Sequence, residues 1–263
     1  MTLWQWQAWH DQEFLTCQLL QGWRHGFFTR GFWPQTPEQL TPILDARAMA
    51  QRVKQVHGNR VVSPADLAIA REDRPTGPWL EADALVSHAP GQALWVCSAD
   101  CSPILIGDPV SGRVAAIHAG WRGTALRIGP HTVAQLQAQG SRIPDLVVAI
   151  GPAIAGSVYQ VSEVVAAQVM ATLEEGGVDP GADGLGALPG PQDSPMLPDP
   201  EPGKARLDVR LVNRWQFTRL GLDPEKIAIA PHCTFQEPQR FFSYRRTGER
   251  LVQWSGIVSG EDG

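Results

Sequence analysis

The sequence predicts a mixed α/β fold, and three observations carry that prediction. Eight short stretches rich in Val, Ile and Ala read as strands, most of them continuous in the way of strands covered on both faces. Helical spacing of apolar residues is confined to three segments. No repeat recurs at solenoid spacing, so the elements belong to one irregular fold.

The predicted strands are 26–29, 60–63, 93–98, 104–107, 114–118, 146–150, 227–230 and 251–257. Asp108-Pro-Val-Ser-Gly112 has the composition of a turn, so 104–107 and 114–118 are expected to form an antiparallel hairpin. The segment 124–139 carries Ile128, Val133 and Leu136 at helical spacing and stops at Gly140; Pro130 predicts a break or a late start within it. A second helix is expected over 162–175 with Ser162 as its N-cap, and a third over 208–220, ending at Gly221. From 176 to 203 the chain turns to Gly, Pro and Asp with almost no large apolar residue, which predicts a flexible surface excursion. Too few elements follow it to make a second core, so 1–263 is expected to be a single domain.

At 263 residues the chain can bury most of its apolar surface without a disulfide or a structural metal. A net charge of −5 argues against a general nucleic-acid or membrane surface, while leaving room for a local basic pocket. No run reaches the ~20 apolar residues of a membrane span, and MTLWQWQAWHDQEFL lacks the charged start and apolar run of a signal peptide. Cys17, Cys97, Cys101 and Cys233 are scattered and read as thiols in a reducing cytoplasm. Ten tryptophans read as packing residues.

Chemistry concentrates in VCSADCSPILIGDPVSGRVAAIHAGWRG, 96–123. Cys101 follows a strand, and Ser102-Pro103 keeps a helix from starting there. The usual fate of a free cysteine is that of a small buried hydrophobe. His118 ends the next strand, however, and paired strands lie about 4.8 Å apart. The hairpin would therefore bring His118 near Cys101, within reach of a hydrogen bond or a shared metal. Gly120-Trp-Arg-Gly123 then opens a helix, where exposed N–H groups and Arg122 suit phosphate or carboxylate. His57, in a turn-like KQVHGN, would complete a Cys/His/His set with one position open for water or substrate. Spacing alone leaves open whether it does. Asp83 and Asp100 are possible partners of the site or turn residues. Late in the chain Phe241-Phe-Ser-Tyr244-Arg245-Arg246, and early on His25-Gly-Phe-Phe-Thr-Arg30, mix aromatics with arginines; they suit a planar anionic molecule, or equally a strand with solvated arginines.

These stretches resemble the bacterial laccase-domain family, whose members are described as polyphenol oxidase-like proteins, purine nucleoside phosphorylases and peptidoglycan editing factors. The resemblance rests on KQVHGNRV, EADALVS, ADCSPILIGDP, AAIHAGWRGT, AIGPAIAGSVYQV, ARLDVRLVNRWQF and FFSYRR, in family order over nearly the whole chain. It implies an α/β/β/α layered sandwich with mixed sheets, related to cysteine-hydrolase-like folds. It implies that His57, Cys101 and His118 bind metal, zinc with copper as an alternative, and that Cys101, His118 and Arg122 act in catalysis. Arg122, Arg30, Tyr244 and Arg245 are then the expected substrate and phosphate contacts. The implied activity is phosphorolysis of adenosine, inosine, guanosine and methylthioadenosine, with deamination of adenosine. A Cys101-dependent amidase of cell-wall precursors and a copper polyphenol oxidase are the alternatives; a protein with seven histidines and no HxH pair speaks against a multicopper cluster. The expected partners are a purine nucleoside and phosphate, with the protein a monomer or weak homodimer. In the region 153–160, where the family often carries a cysteine and a Cys/Tyr-Glu pair, this chain has Ala153, Ser157, Tyr159 and Gln160.

Overall fold

Asp108 shows how local chemistry sets the architecture. Its carboxylate accepts the N–H of Val110 at 2.9 Å and the hydroxyl of Ser111 at 2.6 Å, and Gly112 takes φ 68°, which a residue without Cβ adopts freely. The chain reverses there, and the strands on either side pair antiparallel from Gly107↔Val114 to Ser102↔Ala119, as the sequence predicts.

The computed structural model describes residues 3–73, 79–174 and 194–260. Its strands in chain order are β1 (Trp4–Trp9), β2 (Gln12–Cys17), β3 (His25–Phe28), β4 (Met49–Gln51), β5 (Val61–Val62), β6 (Ala84–Val86), β7 (Gln92–Ser98), β8 (Ser102–Gly107), β9 (Val114–Ala119), β10 (Val147–Ile150), β11 (Gln160–Ser162), β12 (Met196–Pro198), β13 (Lys204–Leu207), β14 (Ile227–Ile229) and β15 (Gln253–Val258). The helices are α1 (Pro37–Leu44), α2 (Pro64–Asp73), α3 (Trp121–Ala125), α4 (Ile128–Ala138), α5 (Glu163–Met170), α6 (Val209–Arg219) and α7 (Tyr244–Thr247).

Two six-stranded sheets are ordered β1-β2-β3-β15-β7-β4 and β14-β10-β8-β9-β6-β5, and a small third sheet is ordered β11-β13-β12. β4–β7, β5–β6 and β10–β14 are parallel and the other pairs antiparallel, so the large sheets are mixed. Alternation along each strand decides the layers. Leu15, Phe27, Leu94, Val96 and Ile257 of the first sheet meet Leu85, Leu105, Ala116 and Ala149 of the second in one core between them. On the far side of the second sheet Ile104, Ile106, Ile117 and Ile150 pack against Val133 and Leu136 of α4 and Phe217 of α6. On the far side of the first, Phe28 and Trp95 pack with Leu40 and Leu44 of α1. The order is helix, sheet, sheet, helix.

Several expectations need correction. The segment expected to be a helix over 124–139 is two helices: Arg127, at φ 60°, separates α3 from α4, and Pro130 falls in the first turn of α4. The helix expected over 162–175 is α-helical only as Glu163–Met170, capped by Ser162, and tightens into a 3-10 turn. The expected excursion 176–203 is ordered at its end: β12 pairs with β13, and Asp199 accepts from Gln160 and Arg206. The rest of it, 176–193, lies outside the described residues. FFSYRR is no strand, since Tyr244–Thr247 is a helical turn whose N–H of Arg246 is capped by Ser243. The stretch 25–30 serves the core, with Phe27 and Phe28 buried. Among the described residues no helix is long and apolar enough to cross a membrane.

His25 is buried in β3, where Nε2 accepts the N–H of Cys17 at 2.8 Å and Nδ1 donates to the Trp23 carbonyl at 2.9 Å. Both bonds are met by the neutral ring, and burial holds its pKa below the ordinary 6.5. On acidification the unfolded chain therefore takes up this proton first. Stability should be level above pH 6.5 and fall below it, by at most about 1.4 kcal/mol per pH unit for this one group. Denaturant midpoints followed by tryptophan fluorescence at pH 7.5, 6.5 and 5.5 check this, and the slope should be shallower in His25→Gln.

Candidate functional site

Cys101 sits in the connection between β7 and β8, one residue beyond the Ser102↔Ala119 pair. His118 stands opposite Pro103 on β9, so the hairpin places the two residues at the same end. His57 arrives from the loop between β4 and β5, at φ 61°. The ligand atoms of His57, Cys101 and His118 lie within 4.8 Å of one another, and the two imidazoles meet edge to face at 4.8 Å between centroids. These are the three residues whose meeting spacing alone leaves open and the family resemblance implies.

Asp83, fully buried just before β6, organises them. Its Oδ1 accepts His118 Nδ1–H and the N–H of His57, each at 2.9 Å. Its Oδ2 accepts the N–H groups of Gly58 at 2.7 Å and Val56 at 3.2 Å. The loop of His57 is thus tied to a carboxylate where it lacks a strand ladder. Gln55 adds a second tie, its side chain bonding both the N–H and the carbonyl of Cys97 at 2.7 Å. Burial resists ionisation of Asp83, but the His118 bond and the backbone donors outweigh it and hold the carboxyl below its usual range.

The electrostatics favour a thiolate. Burial alone would raise the pKa of Cys101, yet the charge of His118 and hydrogen bonds from both histidines draw it down to about 6. His118 responds in kind: burial disfavours its charge, but Cys101 and Asp83 raise it to about 9. Cys97, by contrast, is pushed up to about 12 by burial and by the charge of Cys101, and remains a thiol. Metal is bound by thiolate, which this pairing supplies, and by neutral imidazole, so an ion entering the site would displace a proton from His118. Zinc bonds of about 2.0–2.3 Å in a tetrahedron bring ligand atoms to about 3.5 Å from each other. The three atoms here would have to draw together to hold such an ion, and Asp83 turns the other nitrogen of His118 towards Cys101, the side on which the ion would sit.

Gly120 makes this proximity feasible: a Cβ there would lie 2.8 Å from Cys101 Sγ and 3.3 Å from His57 Cδ2. Neither Gly120 nor the fourfold role of Asp83 was readable as such from sequence, although HAGWRG marks the first.

Around the trio stand arginines on aromatic faces. Arg122 is exposed on α3 and lies over Trp121, 4.8 Å from the ring centroid. Arg245 lies over Tyr159 at 4.7 Å and donates to the Gln160 carbonyl at 2.8 Å. Burial raises Tyr159 to about 12; Cys101 pushes the same way while Arg245 and Arg122 oppose it, so all three lie within electrostatic reach of its hydroxyl. Tyr244, next to Arg245, is exposed. Arg30 donates to the Pro238 carbonyl at 2.7 Å and lies over Phe242 at 4.7 Å. Arg246 clamps the carbonyls of Thr234, Phe235 and Phe241.

Two substitutions test the metal geometry. Asp83→Asn keeps the size but can accept on one atom only, turning an N–H towards donors; metal affinity should fall by about 10–100-fold. Gly120→Ala should weaken it at least comparably by displacing the thiol. Metal retained against a graded chelator measures both, and unchanged retention in both would sink the assignment.

The family model described as multi-copper polyphenol oxidoreductase laccase matches residues 38–258. The chain is 50% identical over 266 residues to a purine nucleoside phosphorylase of Synechocystis sp., covering 98% of this chain and 97% of that one. It is 34% identical over 167 residues to adenosine deaminase RL5 from an unknown prokaryotic organism, covering 63% of this chain and 57% of the other. Among solved structures, YlmD from Geobacillus stearothermophilus superposes with a TM-score of 0.78 at 27% identity, covering 97% of this chain and 99% of that one. With the match spanning its hairpin, its histidine loop and its arginine-bearing segments, the chain belongs to the multi-copper polyphenol oxidoreductase laccase family.

Proposed function

We propose that the protein is a zinc-dependent purine nucleoside phosphorylase that uses phosphate to cleave adenosine, inosine, guanosine and methylthioadenosine, and that also deaminates adenosine. The observation that carries this reading is the His57, Cys101 and His118 group beside two arginines on aromatic faces. The half-identical relative named purine nucleoside phosphorylase and the relative named adenosine deaminase support it.

His57, Cys101 and His118 would hold the ion. When bound, zinc supplies Lewis acidity towards an oxygen of phosphate or water. Arg122 and Arg245 offer planar, permanently charged donors to phosphate, and each rests on an aromatic ring that restricts its side chain. In the reaction a phosphate oxygen bonds to C1′ of the ribose as the C1′–N9 bond breaks, and the purine leaves after taking up a proton. Asp83 bonds Nδ1 of His118 and so holds the orientation of the ring towards Cys101. Tyr159, whose pKa of about 12 keeps it protonated, presents a hydroxyl donor beside these arginines. Tyr244 offers an exposed ring for a planar base.

A second reading has an observation of its own. Cys101, His118 and Asp83 form a nucleophile, base and orienting carboxylate, the arrangement of a thiol hydrolase acting on cell-wall precursors. Copper in the same three ligands, with oxidation of phenols, is the third.

Metal analysis of the native protein with a product screen decides among them. Zinc near one per chain, with hypoxanthine and ribose 1-phosphate formed from inosine and phosphate, is the expected result. Cys101→Ala and His57→Ala should each lower kcat/KM by at least about 100-fold, and Arg122→Ala should raise the phosphate KM about tenfold. Activity indifferent to chelators with an acyl-thioester trapped on Cys101 would select the hydrolase, and copper with phenol oxidation the oxidase.

A further inference from the structure

We propose that Asp100 is a positioning residue: its carboxylate sets Arg245 relative to Cys101, and so sets the anion-binding side of the site relative to the His/Cys/His group. This rests on the reading of Arg245 as a phosphate contact.

Asp100 immediately precedes Cys101 and is only 8% exposed. Its φ is 96°, a region that side chains other than glycine seldom enter. Glycine would suit that backbone best, so the turn alone does not explain a buried acid there. The carboxylate's partners do. Oδ2 accepts the backbone N–H of Arg245 at 2.7 Å, across 145 residues of sequence. Oδ1 accepts the Thr234 hydroxyl at 2.7 Å, and the Asp100 carbonyl accepts the N–H of Ile154 at 3.0 Å. No bond of the side chain is made within its own turn.

Arg245 is thereby held at both ends. Its backbone is bonded to the residue beside Cys101, while its guanidinium donates to the Gln160 carbonyl and rests on Tyr159. Thr234, the other partner of Asp100, belongs to the same body, since Arg246 clamps the carbonyls of Thr234 and Phe235. One buried carboxylate therefore joins two bodies: the β7–β8 connection that carries a ligand, and the segment that carries the arginine. Losing it should leave the three ligands in place and let Arg245 drift.

The test compares the zinc-loaded wild type with Asp100→Gly, Asp100→Asn, Arg245→Ala and the Asp100→Gly/Arg245→Ala double variant. Zinc per chain is measured alongside kcat and KM for phosphate with inosine. Asp100→Gly, which suits the backbone and removes the carboxylate, should keep its zinc and raise the phosphate KM about tenfold, as expected for losing a bond to a buried charge, with kcat changed less. Asp100→Asn can still accept from Arg245 and offer N–H to Thr234 Oγ1, so it should restore most of the affinity. In the Arg245→Ala background Asp100→Gly should have no further effect on phosphate KM. An unchanged KM in Asp100→Gly, a full additional loss in the double variant, or zinc lost in step with activity would each overturn the assignment. Should Asp100→Gly fail to fold, Thr234→Val removes one bond to the carboxylate and should raise the phosphate KM about threefold; no rise there overturns it equally. A wild type that consumes no phosphate would refute the phosphorylase reading instead. Equilibrium binding of inorganic phosphate to wild type and Asp100→Gly, expected to differ about tenfold, then tests Asp100 by itself.

Discussion

Four donors converge on the carboxylate of Asp83: three backbone N–H groups of the 56–58 loop and the imidazole of His118. Bonds to a buried charge are individually worth about 1.5–3 kcal/mol, and the charge itself is costly to bury without them. The arrangement is therefore stable only when complete. With all four donors present, the histidine loop, the end of β9 and the start of β6 are locked together. Everything that the site does depends on this agreement, because His57 has no strand of its own and stands in a left-handed conformation.

The hairpin of β8 and β9 plays the complementary part. It is a local device, closed by a turn with its own side-chain bonds, and it aligns Cys101 with His118 through ladder register alone. The sheet-on-sheet core beneath keeps that register from slipping, since a shift by one residue would exchange Ile104 and Ile106, which face α4 and α6, with Leu105, which faces the other sheet.

What could be read in advance follows from this difference. Strand, turn and strand within about twenty residues announce themselves by composition, so the pairing of Cys101 with His118 was legible. His57 was placed by resemblance, because its contacts to Asp83 span 26 residues and depend on a carboxylate that looks like any turn residue. The β1–β2 hairpin is not legible in the sequence, because WQWQAW mixes tryptophan with glutamine in a way no buried-strand pattern matches. Helix α1 is announced only by its start, Thr36-Pro-Glu-Gln39, a signal that the structure uses: the Thr36 N–H donates to Gln39 Oε1 at 2.9 Å. Composition misled at 194–203, where Pro and Asp suggested a loose loop. There Asp199 instead joins β11 to β13 through Gln160 and Arg206. Arg30 and Arg245 each rest on a ring and bond a carbonyl far away in the chain, contacts that their own neighbours in sequence do not announce.

The way His57 is held has a kinetic meaning. Two of the three ligands are anchored in or beside a central hairpin and can separate only if a sheet is disrupted. The third rides on an exposed loop fastened by bonds to Asp83 and from Gln55, so its release would strip three of the four donors from a buried carboxylate. An ion held by all three would therefore come and go through transient release of the 55–58 loop. Its exchange rate would follow the local opening free energy of that loop, set by the Asp83 bonds, and not the global stability of the fold.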